Sequence, residues 1–369
     1  MACAAPAAAH DSNSWGGLYR SRDDGAAWLS ADAGLFVGAA LAVAVNPADA
    51  NHLLYGTDTR LLRSRNAGRD WVTEAPGLFD GPTLAVAFAA DGNHAWAATP
   101  AGVFAFGDGA WHRSVVPDDA IPGRALASGS RPGRVYLLGA KGVYASSDHG
   151  RTFGRIGTRD LPDAPGRAFL IMSEPADMLF AVFEGRIWAS FDQGGSWTPR
   201  DAGMPLGRIE TLASDRDSKG RLWAASGNRL HVSDDLGSTW GTWGKPIAEG
   251  SLTIQGMATA QAGALIVLAT HKGLLRSHDG GNTWAQVEGA LPAQLEAGLL
   301  LRDPHDAQTL YSGFSLVPYA ELRRRAEHGS SLLSRLDPVS VAGAAAFLLL
   351  LLIGGWSGAR RLADAYRDT

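Results

Sequence analysis

Cysteine is almost missing from this chain: Cys3 is the single one in 369 residues, so no internal disulfide can form. Lysine is nearly as scarce. Lys141, Lys219, Lys245 and Lys272 are the four among 33 cations, a bias that reads as genomic base composition, not chemistry. An excess of positive charge is absent too. A net charge of -4 excludes nucleic acid as the main partner, because phosphate binding needs a basic footprint. The ten histidines are scattered without paired metal-ligand spacing, so no metal and no cofactor is expected. Phosphate loops, dinucleotide fingerprints and Gly-x-Ser-x-Gly elbows are lacking, and no helical period runs between residues 15 and 316.

Long apolar runs are lacking as well, until the C-terminus. Val339 to Gly358 carries no charge and holds Phe347, five leucines from Leu348 to Leu352, and Ile353. At about 1.5 Å per helical residue such a run matches a bilayer core of roughly 30 Å. Trp356, Arg360 and Arg361 stand where interfacial anchors stand. Residues 338–358 are therefore expected to form one transmembrane helix, followed by a tail, 359–369. Arg323, Arg324, Arg325 and Arg335 precede the span and Arg360, Arg361 and Arg367 follow it, so the positive-inside rule does not orient it. The reading adopted is a single-pass membrane protein with its large domain extracytoplasmic (periplasmic); a cytoplasmic, tail-anchored form is the alternative. Residues 319–337 read either as a basic juxtamembrane collar or as a solvated linker. Residues 1–14 read as a disordered leader, with a trimmed signal or lipoprotein remnant as the other option.

What is present is a repeat. The pattern Ser-x-Asp-x-Gly-x-x-aromatic occurs as Ser21-Asp23-Gly25-Trp28, Ser64-Asn66-Gly68-Trp71, Ser146-Asp148-Gly150-Phe153 and Ser190-Asp192-Gly194-Trp197. It continues as Ser233-Asp235-Gly237-Trp240 and Ser277-Asp279-Gly281-Trp284, and a degenerate copy keeps Phe106, Asp108 and Trp111. Successive aromatics lie 43, 40, 42, 44, 43 and 44 residues apart. Asp or Asn folds onto neighbouring backbone N–H groups, Gly supplies a strained angle, and the aromatic packs beneath the turn. Strand-like runs precede each box, such as Gly142-Val143-Tyr144-Ala145, and two more lie upstream, such as Leu41–Val45 and His52–Tyr55. Four short strands per unit of about 43 residues is a propeller blade. The first box has only its last two strands, whereas Gly298–Leu301 and Gln308–Ser312 read as first and second strands without a box. Joined, they give an all-β, seven-bladed β-propeller over residues 15–318, closed by its own ends and so without an open sheet edge.

These boxes resemble the Asp-box, or bacterial neuraminidase, repeat over about residues 15–316. Asn46-Pro47 followed by Leu54-Tyr55-Gly56-Thr57, and Gly280-Gly281-Asn282-Thr283-Trp284, are similar to the photosystem II assembly-factor branch and related sialidase-like bacterial propellers. The resemblance implies that the boxes are scaffold, on the face opposite any ligand. The Phe/Tyr-Arg-Ile-Pro motif of sialidases is absent before Ser21. Tyr19, Tyr55, Tyr136, Tyr144 and Tyr311 hold repeated strand positions, as core residues do, whereas Tyr319 and Tyr366 fall outside them.

If each box joins strands three and four, the turns joining strands two and three lie on the other face. These carry Arg60, Lys141, Arg186, Arg229 and Lys272, four or five residues ahead of the box serine; only Thr99-Pro100-Ala101-Gly102 lacks a cation. The expectation is a basic rim for an acidic partner segment or anionic ligand, against the alternative of ordinary solvated hairpin tips. Linkers with Asp118, Asp119, Asp160, Asp163 and Asp201 near arginines are expected to hold solvated ion pairs. The function expected is a membrane-anchored, protein-binding scaffold, assembly factor or accessory subunit of a membrane complex. The alternative is a sialidase-like glycoside hydrolase or carbohydrate-binding protein.

Overall fold

In the computed structural model, which describes residues 16–327 apart from 174–175, 206, 208, 216, 248–251 and 293–294, the repeats form seven four-stranded antiparallel sheets. Blade 1 is Ala40–Asn46, Asp49–Thr57, Leu61–Ser64 and Val72–Thr73, paired in that order. Blades 2 to 6 repeat this meander over residues 85–113, 125–156, 166–199, 209–243 and 254–286. Blade 7 takes its inner strands, Glu296–Arg302 and Leu310–Ser315, from one end of the domain and its outer strands, Gly17–Ser21 and Leu29–Ser30, from the other. The two ends pair antiparallel with Leu18 opposite Gly313 and Tyr19 opposite Ser312. The shared blade expected from the incomplete first and last repeats is thus formed.

Packing explains why the strands differ in composition. Second strands such as Leu265–Thr270 and Leu310–Ser315 are buried along their whole length because both faces are covered, and Leu265–Ala269 reads as a continuous apolar run. Outermost strands such as Val72–Thr73 and Ala285–Gln286 are exposed. Seven apolar clusters fill the seven spaces between neighbouring blades. In the closing one, Leu18 and Tyr311 of blade 7 pack with Leu53 and Tyr55 of blade 1. The first strands of successive blades touch all round the ring and so line its axis.

Hydrogen bonds between loops define two faces. On the lower face, turns joining strands one and two meet the boxes, as in Ala67 N–H to Asn51 O (2.9 Å) and His149 N–H to Gly133 O (3.0 Å). On the upper face, hairpins joining strands two and three meet the interblade linkers, as in Asp58 N–H to Ala39 O (3.1 Å) and Lys141 N–H to Asp119 O (3.1 Å).

The chain divides into two compact units, Met1–Arg323 and Arg324–Thr369. The segment expected as a linker from residue 319 instead opens with a helix, α1 (Tyr319–Glu327). Tyr319, expected to lie outside the fold, is buried: its hydroxyl donates to Ala40 O (2.7 Å) and its N–H to Glu296 Oε2 (2.8 Å). No helix among the described residues is long and apolar enough to cross a membrane. The expected leader (1–14), the rest of the linker, the transmembrane helix at 338–358 and the tail lie outside the described residues.

Candidate functional site

Each box is a closed knot of side-chain and backbone bonds. Ser233 Oγ donates to Asp235 Oδ1 (2.7 Å) and accepts Gly237 N–H (2.8 Å); Asp235 then accepts Thr239 N–H (2.8 Å) and Thr239 Oγ1–H (2.7 Å). The same bonds recur around Asp148, Asp192 and Asp279. Asp23 and Asn66 keep the serine and backbone bonds. The serine of the pattern ties the turn's start to its glycine. Backbone N–H donors lead in holding Asp192, Asp235 and Asp279 at a pKa of about 2; at Asp148, Ser146 and Thr152 bonds overcome burial to the same value. Gly150 shows why the fifth box position is glycine: its φ is +81°, and a Cβ there would sit 2.3 Å from the Trp96 indole nitrogen. Trp28, Phe153, Trp197 and Trp240 are buried beneath their turns, whereas Trp71 and Trp284 are packed at the edges of the cores. The carboxylates are therefore spent on turn geometry.

The upper face carries the hairpin cations. Arg60, Lys141, Arg229 and Lys272 lie on hairpins of blades 1, 3, 5 and 6, and all four are exposed. Arg186 lies on the blade 4 hairpin but is committed: its guanidinium forms a two-pronged bond with Asp201 (2.7 and 3.0 Å). Asp201, expected in a solvated pair, is buried in the linker leading to blade 5 and holds Arg186 down. Arg155 likewise bridges Asp119 (3.3 Å) and Asp163 (2.9 Å), pinning two linkers together. These pairs brace the face.

Nearer the axis lies a set of residues that sequence reading missed. The second residue of several first strands is skipped in the pairing ladder, as register breaks show at Arg167 between Gly166 and Ala168, Glu210 between Ile209 and Thr211, and Gln255 between Ile254 and Gly256. Such bulges re-aim a side chain. The equivalent position in blade 7 is Gly298, where a Cβ would lie 2.3 Å from the Tyr319 ring, so that α1 takes the place of a side chain. Arg323, one turn along α1, is exposed to solvent and stands in the field of Arg124, Arg167 and Glu296. Burial pushes the Glu210 carboxyl up, against the Ile254 N–H bond and Arg167. The signal for this mouth, a polar residue after the small or apolar one that opens the first strands of blades 4, 5 and 6, is legible only once the registers are known.

The five strand tyrosines are buried, as expected. Tyr55, Tyr136 and Tyr311 donate to Asp32, Asp177 and Asp303, carboxylates that are themselves buried. A shallow cleft of about 440 Å³ lies on the lower face between blades 3 and 4, lined by Arg131, Arg134, Asp192 and Gln193, away from the cationic hairpins. Among the described residues no cluster of His, Cys, Asp and Glu is arranged to hold a metal ion.

No protein-family model matches the chain, and no curated protein matches it. Solved structures do. YCF48 bound to D1 peptide superposes with a TM-score of 0.58 at 18% identity, over 77% of this chain and 95% of that one. YCF48 from Cyanidioschyzon merolae gives 0.57 at 16% identity, over 76% and 97%. The GH74 xyloglucanase from Xanthomonas campestris gives 0.56 at 17% identity, over 78% of this chain and 54% of that chain. Identities this low show a common fold and nothing finer.

Proposed function

We propose that this propeller is a protein-binding scaffold, an assembly factor or accessory subunit of a membrane complex, that holds an acidic partner segment against its upper rim. One observation carries the reading: Arg60, Lys141, Arg229 and Lys272 are exposed on equivalent hairpins of one face, in a chain whose net charge is -4. Like charges gathered on one face focus a field toward an anion. The similarity to YCF48, solved with a D1 peptide, adds support for a peptide-sized partner. The C-terminal apolar run supports a membrane setting, since an anchor raises the local concentration of membrane partners. A sialidase-like hydrolase or carbohydrate-binding protein draws less support, because Tyr55, Tyr136 and Tyr311 are buried in the cores between blades, where a hydroxyl cannot meet a substrate.

The test compares the intact chain with Arg60→Ala, Lys141→Ala, Arg229→Ala and Lys272→Ala combined, each purified in mild detergent with whatever accompanies it. A solvent-facing charge pair is worth about 0.2–1 kcal/mol, so four together reach the ~1.4 kcal/mol that is tenfold in affinity. Partner recovery should fall about tenfold while the circular dichroism spectrum is unchanged. Undiminished recovery from the folded variant defeats the rim as the binding site.

A further inference from the structure

We propose that Arg167 and Arg323 are the two arms of a carboxylate clamp at the axial mouth, with α1 supplying one arm, and that the ligand is a carboxylate joined to an apolar group. The site is separate from the hairpin rim, and neither depends on the other.

The mouth is a ring of equivalent positions, one from the start of each first strand. Blades 1 and 2 place Leu41 and Leu84 there, blades 3 to 6 place Arg124, Arg167, Glu210 and Gln255, and blade 7 has Gly298. Backbone bonds establish the match for blades 2 and 3. Leu84 N–H donates to Ala98 O (2.8 Å) as Arg124 N–H donates to Leu138 O (2.7 Å), in each case one residue before the pairing ladder begins. Both leucines are half-buried. One side of the ring is therefore apolar and the other polar and charged.

Around the charged side, mouth residues stitch each blade to the next. Arg124 Nη1 reaches Gly166 O of blade 4 (3.5 Å), Glu210 Oε2 accepts Ile254 N–H of blade 6 (3.1 Å), and Gln255 Nε2 donates to Glu296 Oε2 of blade 7 (3.1 Å). Arg167 breaks the series. It is exposed, and among the described residues no hydrogen bond or ion pair engages its guanidinium. Arg323 is in the same condition, exposed and without such a partner among the described residues. Tyr319 fixes where Arg323 stands. The tyrosine ring enters the space that Gly298 leaves, its hydroxyl donates to Ala40 O (2.7 Å) and its N–H to Glu296 Oε2 (2.8 Å). One helical turn on, Arg323 comes into the field of Arg124 and Arg167.

Two such guanidiniums beside a third cation repel one another. The neighbouring carboxylates are engaged elsewhere, Glu210 by Ile254 N–H and Glu296 by Gln255 and Tyr319 N–H. An anion between Arg167 and Arg323 relieves the repulsion, and the guanidinium fork fits the paired oxygens of a carboxylate. Leu41 and Leu84 then offer an apolar wall to the rest of the ligand. A carboxylate with an apolar neighbour has two sources, a free monocarboxylic acid or the end of a protein chain whose last residue is apolar. Both present the same group. Because α1 carries one arm, a bound carboxylate ties the start of α1 to blade 4 and couples docking of the helix to the ligand.

The full chain in non-ionic detergent is titrated by calorimetry with hexanoate, with an N-acetylated tripeptide ending in a free leucine carboxylate, and with the same peptide amidated, chloride keeping the ionic strength constant. Binding of hexanoate, of the free-ended peptide or of both supports the clamp and identifies the source that fits. The amidated peptide should bind at least about tenfold more weakly than the free-ended one. Arg167→Ala and Arg323→Ala should each weaken carboxylate binding about tenfold, whereas the fourfold rim variant should bind like the parent. A saturating carboxylate should also slow tryptic cleavage after Arg323 at least about threefold in the parent and leave it unchanged in Arg167→Ala, which an arginine serving only the fold would not produce. Absence of binding by both carboxylates, or binding that survives the loss of either arginine, overturns the proposal and leaves the rim to be judged by partner recovery. Equal binding of the free and amidated peptides overturns it as well, since apolar contact alone would then hold the ligand.

Discussion

Replacing Trp223 by alanine should cost the propeller roughly 3–5 kcal/mol, the usual range for deleting a large buried ring. The side chain is fully buried on the second strand of blade 5, among Leu230, Ile254, Met257, Ile266 and Leu268. Its ring meets Trp243 edge-on, with centroids 5.1 Å apart. A Cβ on Gly263 would lie 2.6 Å from it, so the neighbouring blade is already shaped around the indole and has little left with which to fill a hole. Its Nε1–H donates to Asp215 Oδ2 (3.0 Å), and Asp215 is itself buried at the turn between strands one and two. Truncation therefore opens a cavity and removes a donor from a buried carboxylate, two penalties with different causes. Trp223→Phe separates them: it keeps most of the packing and loses the donor, and should cost about 1–3 kcal/mol. Urea denaturation followed by circular dichroism reads both. Equal losses for the two variants would mean that the indole N–H, and not the ring, holds blades 5 and 6 together.

Trp223 also shows what the sequence conceals. The spacing from Trp28 to Trp284 reveals the number of blades and the shared seventh blade, because each box closes one hairpin within eight residues and needs no distant partner. Local chemistry of that kind is written in one stretch of chain. The mouth is not. Arg167, Glu210 and Gln255 become equivalent only through a bulge in each first strand, and no residue type marks a bulge in advance. Tyr319 filling the place of a side chain on Gly298 joins residues from different segments, which no periodicity announces. The rim lies between these cases. Its five cations are legible from hairpin position, but the capture of Arg186 by Asp201 depends on where the linker to blade 5 turns down into the core. Solvated ion pairs were expected in those linkers because charge alone does not tell a brace from a solvated pair.

Acid should destabilise the fold in two separate windows, the upper one set by histidines. His52 is 5% exposed, with Nδ1 3.0 Å from Asn46 Nδ2 and its ring edge-on to Phe88. Asn46 is oriented by its other bonds: Oδ1 accepts Ala48 N–H and Nδ2 donates to Gly92 O. The amide therefore offers a hydrogen to His52, which must remain neutral to accept it; protonation would set donor against donor. Burial, then Arg65 and Arg63, hold His52 at about 4 against an ordinary value of 6.5. Burial, then Arg229, lowers His231 as well. A histidine with a depressed folded value contributes stability above the unfolded value, and that stability is lost as the unfolded chain takes up the proton the native state refuses. For His52 the loss runs from about pH 6.5 down to about pH 4 and amounts to roughly 3 kcal/mol at 1.36 kcal/mol per unit. The box aspartates act lower. Their folded value of about 2 against 3.8 keeps their contribution intact above pH 4 and removes it as pH falls toward 2. His52→Gln retains an acceptor for Asn46 but has no proton to gain. Its stability, measured by urea denaturation at a series of pH values, should fall much less between pH 6.5 and 4 and should follow the parent protein below pH 4. A parent and variant that lose stability equally through the upper window would show that His52 is protonated in the native fold, and that the Asn46 amide does not fix its charge.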